Sequence, residues 1–238
     1  MNILITGGAS GLGKAITLLL AQDSKHIIYF TFKNSFDEAS KIEKQFPNTK
    51  SIHCDFCDEK SVESLLHFIE QIDLDVLVNN AFTGLKTSYF HKTESEFYLQ
   101  NFKNNILPII KLTQSSIIQF RKKKFGKIIN ILSSYILNKP PLGLSEYVAQ
   151  KNYLLSLSKS WAVENSKFNI TSNCISPSFM LTELTMHTDE RVIEEMINIH
   201  PLRKLLTPEE VAISVEYLIN ASQHVNGTNM IINSATEF

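Results

Sequence analysis

Three groups of residues in this sequence combine types and spacings that could do chemistry. The first is Thr6-Gly7-Gly8-Ala9-Ser10-Gly11-Leu12-Gly13, directly behind an apolar run over residues 2–6. Glycines let a chain turn tightly and bring its backbone close to a pyrophosphate at the positive amino end of a following helix. Any tight strand-to-helix turn also uses glycine, so it is the position behind a first strand that points to a nucleotide. The second group is Tyr147-Val148-Ala149-Gln150-Lys151. Four residues apart on a helix, the tyrosine and lysine share a face. An ammonium beside a phenol favours the phenolate and lowers a pKa that starts near ~10. Such a tyrosine is a usable general acid or base at neutral pH, although the same spacing occurs on any amphipathic helix surface. Third, the run Gly126–Leu132 ends in Ser133-Ser134. A hydroxyl at the carboxyl end of a parallel strand points into the crevice where open α/β sheets bind ligands; a lone serine there can equally cap a turn.

The elements that must position these groups follow from periodicity. Short β-branched or apolar runs at residues 2–6, 26–32, 50–54, 76–79, 127–132, 170–175 and 230–232 alternate with longer amphipathic stretches. Those stretches, at 12–21, 36–46, 60–71, 94–122, 144–165 and 208–220, read as helices. The alternation predicts an α/β fold, a doubly wound parallel sheet of about seven strands with helices on both faces. The nearly all-apolar strands agree with burial on both sides. Residues 178–201 form a long excursion with Phe179, Met180, Leu181, Leu184 and Met186, followed by a short charged helix from Asp189. Such a connection predicts a substrate-covering lid. No repeat or linker divides the chain, so one domain over 1–238 is expected.

Composition narrows the classes. A chain of 238 residues with 43% hydrophobic and 20% charged residues can bury a core without disulfides. Its net charge of −1 lacks the positive excess that nucleic acid or an anionic membrane requires. The basic cluster Arg121–Lys124 reads as a solvated helix end. No secretory signal opens the sequence and no apolar run approaches the roughly 20 residues that span a bilayer, so a cytoplasmic protein is expected. Three cysteines then read as reduced thiols. Cys54 and Cys57 have C-x-x-C spacing, but zinc would need two more ligands and Cys174 has no nearby partner, so no metal is expected.

Taken in order, these features resemble the short-chain dehydrogenase/reductase family through nearly the whole chain, and a single Rossmann-type domain is what that resemblance implies. Asp55, with Phe56 beside it, looks like the family's adenine-contacting acid. Asn79-Asn80-Ala81 matches most of an N-N-A-G motif. Asn105 falls at the catalytic asparagine of the long fourth helix. Ser134 stands thirteen residues before Tyr147, the family interval, and is preferred to Ser133. Asn173, Pro177 and Thr182, with the Met180 backbone, match the segment that embraces the nicotinamide. The implied catalytic set is therefore Asn105, Ser134, Tyr147 and Lys151. The implied cofactor contacts are Gly7, Ser10, Gly11, Leu12, Gly13, Lys33, Asp55, Phe56, Asn79, Ala81, Tyr147, Lys151, Pro177, Met180 and Thr182.

The resemblance implies an oxidoreductase that interconverts a carbonyl and an alcohol with NAD(P)(H). Tyr147 would pass the proton, Ser134 would hydrogen-bond the substrate oxygen, Lys151 would hold the ribose, and Asn105 would support a water relay. Within the family the closest likeness is to 3-oxoacyl-(acyl-carrier-protein) reductases, where Lys127 and Lys167 would stand near the basic residues that receive the carrier protein. Sugar, polyol or small-ketone dehydrogenases are the alternatives, and a non-catalytic dinucleotide-binding sensor or scaffold is the rival outside enzymes. The second strand ends in Lys33-Asn34-Ser35, with no carboxylate before Asp37, which favours NADP(H) over NAD(H). A homo-oligomer, tetramer or dimer, built on the fourth and fifth expected helices, is implied as well. Three positions depart from the pattern: Phe82 and Ser178 replace glycines, and Asn233-Ser234-Ala235 stands where D-G-G is common.

Overall fold

The computed structural model describes residues 1–137 and 139–236; Asn138, Glu237 and Phe238, part of the domain expected over 1–238, lie outside the described residues. Seven strands, β1 (Asn2–Ile5), β2 (Ile27–Phe32), β3 (Thr49–His53), β4 (Val76–Asn79), β5 (Gly126–Ile131), β6 (Ile170–Pro177) and β7 (Asn229–Ile232), form one sheet. All pairings are parallel. Their order is β3-β2-β1-β4-β5-β6-β7. The chain therefore winds outward in one direction from β1 and then in the other from β4. That reversal opens a crevice at the carboxyl ends of β1 and β4. The doubly wound, Rossmann-type sheet expected from the sequence is the one observed.

Among the described residues there are eight α-helices: α1 (Gly11–Ala21), α2 (Phe36–Gln45), α3 (Glu59–Gln71), α4 (Ser95–Asn101), α5 (Leu107–Lys123), α6 (Ser145–Asn165), α7 (Glu190–Ile199) and α8 (Pro208–Asn220). Successive strand residues point to opposite faces. Ile3, Ile5, Val76, Val78 and Ile129 pack with α1, α2 and α8 through Ile16, Ile42 and Val215. Leu4, Leu77 and Ile128 pack on the other side with α3 and α5 through Leu65, Ile69, Leu112 and Phe120. Both faces exclude water, which is why the strands are apolar almost throughout.

One element differs from expectation. The single helix expected over 94–122 is broken into α4 and α5 by a π-helical turn at Phe102–Ile106. Pro108 supplies the reason: it has no N–H to return to the Asn104 carbonyl, so the ladder shifts by one residue. The widened turn directs Asn105 inward, where it is fully buried. Cys54, Cys57 and Cys174 are free thiols. Burial pushes the Cys54 thiol up to about 11. Among the described residues no helix is long and apolar enough to cross a membrane, and no group of three or more His, Cys, Asp or Glu side chains could hold a metal.

Candidate active site

The glycine turn joins β1 to α1 at the centre of the crevice. Gly7 and Gly11 have φ of +68° and +47°, left-handed values that favour glycine. A Cβ on Gly13 would drive into the Gly7 carbonyl oxygen. The Gly7 N–H donates to Thr31 Oγ1 (2.9 Å) and the Gly8 N–H to the Thr31 carbonyl (2.8 Å), so β2 sets the turn. Ser10 is the extended N-cap of α1, its side chain makes no capping bond, and the first turn carries no acid. Leu12 is buried beneath. A helix amino end of this kind, cradled by residues without side chains, suits a pyrophosphate.

The end of β4 is stitched to that turn. Thr6 Oγ1 accepts from the Asn80 and Ala81 N–H groups (2.9 Å each), and Asn80 Nδ2 donates to the Thr6 carbonyl (2.9 Å). A Cβ on Gly7 would lie 3.2 Å from Ala81 Cα, so the two segments touch. Asn80 and Thr6 hold this junction, and sequence reasoning gave neither a role. Asn79 is different. Strand alternation turns its side chain to the opposite face, where Nδ2 donates to Asn130 Oδ1 (2.9 Å) and Thr113 Oγ1 (3.2 Å). That buried network continues through Ser158 to Ser172. The Asn79 side chain is not brought to the crevice.

Tyr147 and Lys151 lie one turn apart on α6, against the end of β5. Lys151 is buried, and its Nζ donates to the Ile131 carbonyl at 2.8 Å. The Nζ stands 5.6 Å from the centroid of the Tyr147 ring and 4.8 Å from that of Phe82. Burial lowers the lysine from 10.5 to about 7. Burial likewise pushes the Tyr147 phenol up to about 12, opposed by a hydrogen bond from Ser133. The lowered tyrosine expected from Lys151 is thus not what this arrangement gives. Nζ lies over the Tyr147 ring, and desolvation of the phenol sets the direction of the shift.

The paired serines divide. Ser133 Oγ accepts from the Tyr135 N–H (3.3 Å), and its hydroxyl works against the upward shift of the Tyr147 phenol. Ser134 is fully buried, and its hydroxyl has no protein partner. The family interval singled out Ser134, while the influence on the Tyr147 phenol comes from its neighbour. The only signal for Ser133 in the sequence was its adjacency. Asn105 makes a two-way clasp: the Thr83 N–H donates to its Oδ1 (2.8 Å) and its Nδ2 donates to the Thr83 carbonyl (3.0 Å). It fixes the segment that leaves β4.

At the end of β2, Lys33 Nζ pairs with Asp55 at 3.0 Å. Burial alone would raise Asp55, but the Cys57 N–H and the Lys33 ammonium hold it below its ordinary value. Phe56 packs at the margin of the core. Beyond Pro177, the Ser178 N–H donates to the Ile232 carbonyl (2.8 Å), so the chain leaves the sheet after that residue. Thr185 Oγ1 donates to the Met180 carbonyl (2.6 Å) and accepts from the Thr182 N–H (3.0 Å), closing a loop that sequence reasoning did not mark. Thr182 and Glu183 rest on Gly11. A groove of about 540 Å³ runs between them, Lys14 and Met186. Asn173 lies away from this end and anchors the loop before β7 through Val225 and Thr228.

Lys127 corrects an expectation. It is buried at the amino end of β5, its Nζ donates to the Ala221 carbonyl at 2.6 Å, and burial lowers its pKa. It completes the end of α8 and offers no charge to a carrier protein. Lys167 lies in a short turn just before β6, with its Nζ 5.3 Å from the Phe168 ring.

A sequence profile described as short chain dehydrogenase matches residues 1–192 of this chain. It belongs to the short-chain dehydrogenase/reductase family. A 3-oxoacyl-(acyl-carrier-protein) reductase of Thermotoga maritima is 30% identical over 94% of this chain and 92% of its own length. Carbonyl reductase family member 4 of Xenopus laevis is 28% identical over 98% and 96%. An L-fucose dehydrogenase of Bos taurus is 27% identical over 99% and 88%. A solved short chain dehydrogenase/reductase family protein superposes with a TM-score of 0.86 at 26% identity, covering 98% of this chain and 96% of that one. This short-chain dehydrogenase/reductase is accordingly an NAD(P)-dependent oxidoreductase acting on small-molecule substrates.

Proposed function

We propose that this enzyme reduces a ketone on a partly apolar substrate to the secondary alcohol, with NADPH as donor and a 3-oxoacyl thioester as the leading substrate class. One observation carries the chemistry. The half-buried Tyr147 ring and the buried Lys151 Nζ lie 5.6 Å apart where α6 meets the end of β5, and the buried, unpartnered Ser134 hydroxyl follows directly after that strand. The residues fit the cofactor: the glycine turn cradles a pyrophosphate, Lys33 stands at the end of β2 for a 2′-phosphate, and Lys151 reaches the ribose side. When bound, NAD(P)H supplies the hydride.

The chain does the rest. Tyr147 donates the proton to the carbonyl oxygen and, in reverse, takes it from the alcohol. Ser134 donates a hydrogen bond to the same oxygen as charge develops. Ser133 orients the phenol. Lys151 holds the ribose hydroxyls. Asn105 positions the strand exit. Residues 178–201 close over the site as a lid, with Pro177, Met180 and Thr182 on the nicotinamide side. All of this belongs to one dinucleotide-binding domain over 1–238.

Phe82, against Tyr147, and Leu181, in the groove beside Gly11, support an apolar substituent over a bare sugar. With Lys127 buried, Lys167 is left of the two basic residues for an acidic carrier, which directs the first assay to free thioesters. NADPH and NADH oxidation with acetoacetyl-CoA, simple ketones and hexoses is the test. Turnover should be highest with the thioester and NADPH, and Tyr147→Phe should lower kcat by about 10²–10⁴ with cofactor affinity retained. Full turnover in Tyr147→Phe would remove the mechanism, and preference for hexose would remove the substrate class.

A further inference from the structure

The crevice between the glycine turn and the Tyr147–Lys151 pair is bridged by one side chain. Ala81 abuts Gly7 on one wall. The next residue, Phe82, reaches the other wall, its ring edge-on to that of Tyr147 with centroids 5.0 Å apart at 85°. The same ring stands 4.8 Å from Lys151 Nζ. An ammonium has three N–H donors. Here one carbonyl, Ile131, takes a hydrogen bond, and the Phe82 and Tyr147 rings face the group.

The backbone around Phe82 is fixed on both sides. The Ala81 N–H is held by Thr6, and Thr83 is clasped at both polar atoms by Asn105. The ring itself is only half-buried. Its freedom is therefore rotation of the side chain and not movement of the strand exit.

We propose that Phe82 is a gate on the nicotinamide half of the site. Its ring covers Lys151 on the side from which ribose hydroxyls must approach, and it swings off before they bind. The adenosine half, held by the glycine turn, Lys33 and Asp55, binds without that movement. The inference rests on the NAD(P) site described above and adds an order of events to it. A gate lowers apparent affinity in proportion to the open fraction, so removing it tightens binding of ligands that need it open and of no others.

Calorimetric titration of wild type, Phe82→Gly and Phe82→Leu tests this, using NADPH, NADH, and the adenosine fragments 2′,5′-ADP and 5′-AMP. Phe82→Gly should bind the whole dinucleotides about tenfold more tightly, with fragment affinity unchanged within about twofold. Phe82→Leu, which keeps an apolar side chain without the ring, should shift the dinucleotides in the same direction and carries the comparison alone if the glycine variant does not fold. Unchanged or weaker dinucleotide binding in the variants overturns the gate while leaving the cofactor site intact. So does a parallel shift of dinucleotide and fragment. A wild type that binds neither class overturns the cofactor site, and the gate with it.

Discussion

At the residue scale the site is a set of polar groups taken out of water, and each position has a cost that the reaction must recover. Lys151 is the clearest case. Its native pKa is lowered to about 7 from 10.5, so the unfolded chain holds a proton that the native protein has shed. Between about pH 7 and pH 10 the unfolded state therefore binds more protons, and stability contributed at this group rises with pH. Below about pH 7 the full penalty of the buried ammonium is present. Lys151→Met, similar in length and uncharged, should exceed wild type in stability at pH 7 by urea unfolding, with the gap closing by pH 10. A gap independent of pH would show that Lys151 is not desolvated as described. The two serines give a second test. With the Ser134 hydroxyl unpartnered and Ser133 engaged, Ser134→Ala should lower kcat by about 10²–10³ and Ser133→Ala by roughly tenfold less. The reverse ranking would make Ser133 the donor to substrate.

At the scale of elements, two stretches of unusual backbone have distinct structural consequences. The π-helical turn before α5 follows from Pro108 and places Asn105, so a substitution at Pro108 acts on the site through the helix ladder. The chain after β7 carries a different signature. Ser234 and Ala235 have φ of +51° and +59°, the backbone shape that glycines in the usual D-G-G would take freely. Two Cβ atoms are held there in a left-handed conformation that L-residues resist. Ala235→Gly should therefore stabilise the protein, by about 0.5–1 kcal/mol after the extra freedom of glycine in the unfolded chain is set against the relieved strain. Urea unfolding gives the value directly, and a destabilised variant would mean that the Ala235 methyl makes a contact worth more than the strain.

At the scale of the whole molecule, the outer faces of α5 and α6 are uncovered. Ile118 is 59% exposed and Val163 79% exposed, where a chain that ends its packing at these helices would carry polar residues. We expect a dimer or tetramer closed through them. Sedimentation at micromolar concentration should give a particle larger than the 27.0 kDa chain, and Ile118→Glu with Val163→Glu should reduce it toward that mass. A wild type sedimenting at the mass of one chain would refute this arrangement.

The sequence by itself determined the order of elements, because apolar periodicity and glycine position are local properties. Seven strands were legible within a few residues, as were the glycine turn and the one-turn spacing of Tyr147 and Lys151. Only the tertiary structure decided which polar group faces which partner. Strand alternation sent Asn79 inward and left Asn80 at the turn. Adjacency could not choose between Ser133 and Ser134, since their contacts depend on where α6 packs. Lys127 read as a surface charge until the end of α8 was found above it, and the sign of the tyrosine shift turned on burial that no spacing records. Helix and strand are written in neighbours along the chain, whereas burial and partner choice arise from residues far apart in it, which meet only when the sheet has closed.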